Sequence, residues 1–298
     1  MRATVIINPI AGPGRSRTID ACIALARTTM GNHGYDADVR VTSAPGDARE
    51  YAADALRAGT DLVVAWGGDG TINGAGAAVV GSAVSLGIVP AGSGNGLARD
   101  LGLPLQPAEA LAVAATGATR VIDAGEVNGS LFFNVAGVGL DARIAGRLAV
   151  AGARRGLAGY VQATTAELLR YRAQAYSICI GGGGASEILH ETALFIAIAN
   201  SRQYGVGAQI APHARLDDGR LELVVVRRQS VMRLIGRLPA LFRGTLREGD
   251  GLVMRGTTDV QIASDQPVSF HVDGEPGDDA KTLQIRIHPH ALSVRVNG

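Results

Sequence analysis

The sequence predicts a two-domain protein: an α/β domain with a parallel sheet over residues 1–123, and a mainly antiparallel β-sandwich domain over residues 124–298. Three observations predict it. Apolar strand-like runs alternate with helix-period segments as far as Asp123. The strand-like runs of this half end in glycine-rich turns. Beyond Asp123 short strands dominate, and the dipeptide Asn128-Gly129 between two such runs signals a tight hairpin.

Taken in order, residues 4–7 form a strand and a loop with Gly12 and Gly14 follows. A helix is expected from near Ser16, with Ile19, Cys22, Ile23, Ala26 and Met30 on one face and Gly31 as its stop. Ala37, Val39 and Val41 alternate with polar residues as in a half-buried strand. Helices are expected over 47–58, 72–80, 94–101 and 108–115, and strands over 61–66, 86–89 and 119–123. The second half offers strands near 175–180, 193–199, 221–227, 259–263, 268–272, 283–287 and 291–296, with helices over 157–171 and 230–242. The last residues of the chain could also return to the first domain. Gly181–Gly184 reads as a turn.

Composition narrows the function classes. With 47% hydrophobic and 18% charged residues the chain is globular. A net charge of +1, 4% aromatics and no basic-aromatic stripe argue against nucleic acid as a partner. Cys22 and Cys179 sit inside apolar patterns and read as buried free thiols of a reducing cytoplasm. The early strand leaves no room for a secretion signal, and no apolar run reaches membrane-spanning length. The expected location is therefore cytoplasmic, with at most transient, peripheral membrane contact. No two histidines have zinc spacing, and His288-Pro-His290 reads as a surface turn near the end.

The chemistry is carried by turns. Asn8-Pro9-Ile10-Ala11-Gly12, Gly67-Gly68-Asp69-Gly70-Thr71, Pro90-Ala-Gly-Ser93-Gly-Asn95 and Gly137-Val-Gly-Leu-Asp141 each follow a strand. No Walker pattern is present, and after Gly68 and Gly70 the next glycine is Gly74, one place late for the dinucleotide fingerprint. Backbone N–H groups, the hydroxyls of Thr71 and Ser93 and the amides of Asn8, Asn73 and Asn95 suit phosphate oxygens and a base or ribose edge. The carboxylate of Asp69 among them makes sense if a divalent cation lies between it and the phosphates.

These turns, together with Phe133-Asn-Val-Ala-Gly-Val-Gly-Leu-Asp-Ala142, Ala211-Pro-His-Ala-Arg-Leu-Asp-Asp-Gly219 and Asp273-Gly-Glu275, occur in an order that resembles the diacylglycerol kinase/sphingosine kinase-like lipid kinases in their bacterial single-chain form. The resemblance covers essentially the whole chain. It implies an NAD kinase/phosphofructokinase-like α/β domain, a lipid-substrate β-sandwich, and transfer of the ATP γ-phosphate to a lipid hydroxyl with Mg²⁺, in lipid metabolism and phospholipid biosynthesis. It implies that Asn8–Gly12, Thr42, Gly67–Asn73 and Ser93 line the ATP site. It makes Asp69 a member of the catalytic metal network, which Asp123 could join, and Asp273 the general base with Glu275 beside it. A second, structural Mg²⁺ would be held by the Asp218 side chain and the carbonyls of Arg215 and Arg220. One departure stands out: relatives often carry aspartate where this chain has Gly96, and Asp100 lies a helical turn on.

Two arginine-rich stretches, 143–172 and 227–247, read as solvated helix faces, a homodimer contact, or faces lying on anionic lipid. Two other functions compete with the lipid kinase. An NAD kinase-like soluble phosphotransferase shares GGDGT but does not account for the Leu216–Gly219 turn or Asp-Gly-Glu. A non-catalytic nucleotide- or lipid-binding protein would follow from a metal network thinned at Gly96.

Overall fold

Strands Leu62–Gly67 and Ser85–Pro90 are buried at every position, as strands of a parallel sheet covered on both faces must be. A computed structural model describes residues 1–11, 18–150, 171–181, 187–205, 207–249 and 251–298, which form two compact units, Met1–Ile122 with His290–Gly298 and Asp123–Pro289.

The first unit runs β1 (Arg2–Ile7), α1 (Ile19–Asn32), β2 (Asp36–Val41), α2 (Asp47–Arg57), β3 (Leu62–Gly67), α3 (Asp69–Val79), β4 (Ser85–Pro90), α4 (Gly96–Asp100), α5 (Pro107–Thr116) and the start of β5 (Ala118–Val127). Its strands pair in parallel in the order β2-β1-β3-β4, with Val5 opposite both Val39 and Val64. β2, at the edge, is only half-buried and alternates accordingly. Met30, Leu62, Val64, Trp66 and Leu111 belong to the core between sheet and helices. Helix α5 presses so closely on β4 that a Cβ on Gly87 would lie 2.6 Å from that of Ala114.

The end of the chain is stitched to this unit. Val294 pairs with Leu86, Arg295 donates to the Gly117 carbonyl at 3.0 Å, and Asn297 to that of Gly102 at 2.9 Å. The expected border after residue 123 compares with one after Ile122, and residues 290–298 go with the first unit rather than the second.

The second unit continues with β6 (Ser130–Phe132), β7 (Val135–Gly139), α6 (Leu140–Val150), β8 (Gln174–Ile180), β9 (Glu187–Ala199), β10 (Gln203–Gly205), β11 (Ala208–Gln209) and β12 (Leu221–Arg227). It closes with α7 (Val231–Arg243), β13 (Leu252–Thr257), β14 (Asp259–Val268), β15 (Phe270–Val272), β16 (Glu275–Pro276) and β17 (Ala280–Val296), whose last residues belong to the first unit. Its pairings are antiparallel and its architecture is β-sandwich-like. β9 organises it: residues 187–193 pair with β8, and residues 193–199 lie between β7 and β12. The expected Asn128-Gly129 hairpin is present, with positive φ at both residues and Val127 opposite Ser130.

Several local expectations need correction. α1 passes through Gly31 and ends at Asn32; Gly34, at φ +81°, takes the left-handed position while the Tyr35 N–H reaches back to the Met30 carbonyl. α3 begins at Asp69, not residue 72, because Gly68 serves as its N-cap and the glycine-rich loop is itself the first helical turn. α4 begins at Gly96, not residue 94, since the left-handed Asn95 precedes it. Cys22 and Cys179 are only half-buried. His288 is no loose surface turn: it lies within β17 and its Nε2 is 2.8 Å from Glu126, whose carboxyl sits below the usual range because Arg286 and His288 outweigh its burial. The helix expected over 157–171, Gly12, Gly14, Ser16 and Gly182–Gly184 fall outside the described residues, Tyr171 excepted.

The Gly87 contact gives a direct test. Gly87→Ala should lower unfolding stability by about 1–3 kcal/mol through overpacking, read by denaturant melts. Ala114→Gly in the same chain should recover part of the loss.

Candidate active site

Loops leave the C-terminal ends of β1, β2, β3 and β4, the edge at which ligands of open parallel sheets bind. Asp69 ties two of them together. Its Oδ2 accepts the Asn95 N–H at 3.0 Å and its Oδ1 the Gly96 N–H at 2.9 Å. As the first residue of α3 it also puts its charge at the positive end of that helix. The Asn95 side chain closes the second loop on itself, accepting the Gly92 N–H and donating to the Gly92 carbonyl, both at 2.8 Å. Glycine is required where the main chains touch: a Cβ on Gly92 would lie 2.7 Å from Gly68 Cα, and one on Gly94 2.9 Å from Asp69 Oδ2.

The first loop joins them through Asn8, whose Nδ2 donates to Thr71 Oγ1 at 3.0 Å while its Oδ1 accepts the Ile10 N–H at 3.1 Å. Asn8, Asp69, Thr71 and Asn95 thus form one bonded scaffold with Gly67, Gly68 and Gly70 between them. Around it, the Ala11 N–H caps Asn8 across Pro9 at 3.3 Å, Thr42 is buried, Asn73 lies on α3, and Ser93 stands exposed at the tip of its loop. The Gly96 N–H supplies its contact from the main chain, with no side chain needed. Asp100 lies at the opposite end of α4 from that contact.

In the second unit Asp273 and Gly274, with φ of +48° and +88°, form the two-residue turn between paired Val272 and Glu275. The Asp273 carboxylate accepts three backbone N–H groups: Phe133 on Oδ2 at 2.9 Å, and Asn134 and Val135 on Oδ1 at 2.9 and 3.0 Å. Its own N–H returns to the Val135 carbonyl at 3.0 Å. Glu275 is exposed at the start of β16. Asp123, fully buried, accepts the Gly219 N–H on Oδ2 at 2.7 Å and donates its N–H to the Leu216 carbonyl at 2.6 Å, fixing the Leu216–Gly219 turn. In that turn Asp218 Oδ1 accepts the Arg220 N–H at 3.1 Å, and Arg215 Nε is 3.8 Å from Asp217.

Two groupings complete this arrangement, around Asn200 and His271, which the sequence reading did not single out. Asn200, fully buried, donates from Nδ2 to the carbonyls of Asp123 at 3.0 Å and Phe133 at 2.9 Å. It therefore links the Asp273 turn, the Phe133–Val135 segment and the Asp123 turn into one network. The only sequence signal was an asparagine closing an apolar strand. The second set is His271 with Asp141, both buried, Nε2 to Oδ2 at 2.5 Å. The His271 Nδ1 accepts the Gly274 N–H at 3.1 Å, which fixes the turn beside Asp273. Burial pushes the imidazole down, but the charges of Asp141 and Asp273 prevail and raise it above its ordinary value. Gly137 leaves the space for the pair, since any Cβ there would overlap both side chains.

The residues fit a hard cation at the Leu216–Gly219 turn. Among the described residues no three His, Cys, Asp or Glu side chains converge. One carboxylate with main-chain carbonyls and water is, however, a donor set that suits Mg²⁺. Nearby, burial first, and then Asp218, holds the Glu222 carboxyl above its ordinary value, with His213 and Arg220 opposing. In the first unit, Asp69 contributes a hard carboxylate oxygen donor of the same kind.

Residues 2–127 match the diacylglycerol kinase catalytic domain, and residues 134–296 the YegS C-terminal NAD kinase beta sandwich-like domain. The chain belongs to this family of lipid kinases. A protein of Pectobacterium atrosepticum named "Probable lipid kinase YegS-like" is 35% identical, over 88% of this chain and 87% of its own length. A Mycobacterium tuberculosis protein named "Diacylglycerol kinase" is 33% identical, over 92% of this chain and 88% of its own. The crystal structure of a diacylglycerol kinase from Bacillus anthracis str. Sterne superimposes with a TM-score of 0.74 at 19% identity, covering 99% of this chain and 97% of that one, and so shares the fold. The family identifies the protein as a phosphotransferase.

The raised Glu222 carboxyl sets a pH-dependent test of the cation site. A group raised on folding favours the folded state below its unfolded value, near 4.5, and loses that contribution as pH rises through its folded value. Glu222→Gln should therefore raise the melting temperature at pH 7 and not at pH 4. Millimolar Mg²⁺ should raise the wild-type melting temperature at pH 7 more than that of Asp218→Asn; equal shifts would count against a cation there.

Proposed function

We propose that this lipid kinase transfers the γ-phosphate of ATP to a hydroxyl of a diacylglycerol-like or sphingoid-like lipid. The observation that carries the reading is the Asp69 clamp. It holds two glycine loops in one fixed surface at the C-terminal edge of a parallel sheet, and family membership extends along the whole chain. A phosphate approaching these loops meets backbone donors with no side chain in the way.

Mg²⁺ suits the charges involved, and when bound it neutralises the phosphate oxygens from which charge must be drawn. Asp69 is the residue of the first unit that would help to hold it. Asp218 with the Arg215 and Arg220 carbonyls would hold the structural ion. Asp273 takes the proton of the lipid hydroxyl, its carboxylate directed by the three N–H groups of residues 133–135. Glu275, one residue past the turn, supplies a further carboxylate.

The deciding experiment offers radiolabelled ATP and Mg²⁺ to the protein with a panel of lipids in mixed vesicles, with NAD alongside. Label in a lipid product and none in NADP supports the reading; label only in NADP replaces it. Asp273→Asn should abolish transfer and cost about 1–3 kcal/mol of stability, because an amide turns a donor toward the Phe133 or the Asn134 and Val135 N–H groups. Glu275→Gln should leave stability unchanged, which separates chemistry from scaffold. Full activity in Asp273→Asn would remove Asp273 as the base.

A further inference from the structure

Helix α7 is apolar on more than the side that its domain covers. Leu234, Ala240 and Leu241 pack toward the cluster that contains Ile210, Ala214, Val224 and Leu246. Met232, Ile235, Leu238 and Phe242 do not; they are 77%, 51%, 45% and 48% exposed. A helix that needs only to cover its own domain carries one apolar stripe and a polar back. Here spacings of three, three and four residues line up a second stripe about 15 Å long. Four of the nine exposed large apolar side chains among the described residues lie on this one helix, so the exposure is concentrated and not scattered.

The charge around the stripe has one sign. Residues 228–247 contain Arg228, Arg233, Arg237, Arg243 and Arg247 and no aspartate or glutamate. Arg237 is used internally, donating to the Gly249 carbonyl at 3.3 Å. Arg228, Arg233, Arg243 and Arg247 have no carboxylate partner among the described residues, whereas neighbouring Arg227 and Arg255 are paired with Glu191, Glu187 and Glu248. An apolar ridge with unpaired arginines around it complements one kind of surface: hydrocarbon beneath a layer of phosphates. A second copy of the chain complements it poorly, because a two-fold contact along α7 would set these arginines against their own copies.

We propose that the outer face of α7 docks the protein on bilayers containing anionic phospholipid, with Met232, Ile235, Leu238 and Phe242 entering the headgroup–acyl boundary and Arg243, beside the stripe, together with Arg228 and Arg247 of the flanking segments meeting lipid phosphates. The proposal rests on the reading that the acceptor is a lipid, and gives that reaction its place of work.

The test is co-sedimentation of the full-length protein with vesicles of phosphatidylcholine, with or without phosphatidylglycerol. Binding should require phosphatidylglycerol and weaken as salt rises. The double substitution Ile235→Asp with Phe242→Asp, both at exposed positions, should weaken binding about tenfold or more. Arg243→Glu with Arg247→Glu should do the same on the anionic vesicles. Each variant should keep the wild-type melting temperature, and should phosphorylate a short-chain, monomerically dissolved lipid acceptor as the wild type does while losing rate on vesicles.

Vesicle binding that is unchanged in both variants overturns the proposal. So does a wild-type dimer in sedimentation equilibrium that the Ile235→Asp/Phe242→Asp variant splits, since a second copy would then be the occupant. Vesicle binding lost in the variants, with no lipid phosphorylated by any form, supports the docking face and sinks the kinase reading alone.

Discussion

A glycine-rich loop has no side chains with which to hold a shape, so a surface built from such loops needs an external tie. In this protein the tie is the carboxylate of Asp69, which takes the N–H groups of Asn95 and Gly96 from the neighbouring loop. The glycines allow the main chains of residues 68 and 92 to touch, and the aspartate keeps them in contact. An acid at the tip of a phosphate-type loop is thus first a structural necessity.

The second unit solves the same problem with the same chemistry. Asp273 gathers three consecutive N–H groups, and Asn200 takes the carbonyls on the other side of that segment and of Asp123. Buried polar groups linked in this way specify one arrangement, because each lost partner leaves another unsatisfied in a low-dielectric interior. His271 and Asp141 extend the network to the far side of the turn through Gly274. The motifs along the second half of the sequence are therefore not separate sites. They are the ends of one hydrogen-bonded frame.

Much of this was legible because its signals are local. Alternating strands and helices, Asn128-Gly129 at a two-residue turn, and glycines after strands all depend on neighbours in sequence. What stayed hidden depends on distant partners. Asp69 meets residues 26 and 27 positions away, and Asp273 meets residues 138 to 140 away. Asn200 looked like the end of a strand because its partners lie 67 and 77 positions back. The early start of α3 was missed for a related reason: a glycine loop looks irregular in sequence, yet its first turn is helical once Asp69 is anchored.

The same geometry bears on what kind of base Asp273 can be. Three main-chain donors fix the orientation of its carboxylate, so on the proposed reading a lipid hydroxyl would meet it from a set direction. For many reactions that would be a poor arrangement. Phosphoryl transfer is different, because its loose transition state asks little of the nucleophile beyond alignment with the leaving oxygen. An acceptor fixed by main-chain bonds supplies alignment at no entropic cost in the transition state, whereas a mobile, strongly basic carboxylate would supply basicity that the reaction hardly uses. On the proposed reading the frame of Asn200, Asp123 and the 133–135 segment is then part of the chemistry: it fixes how the Asp273 carboxylate is presented.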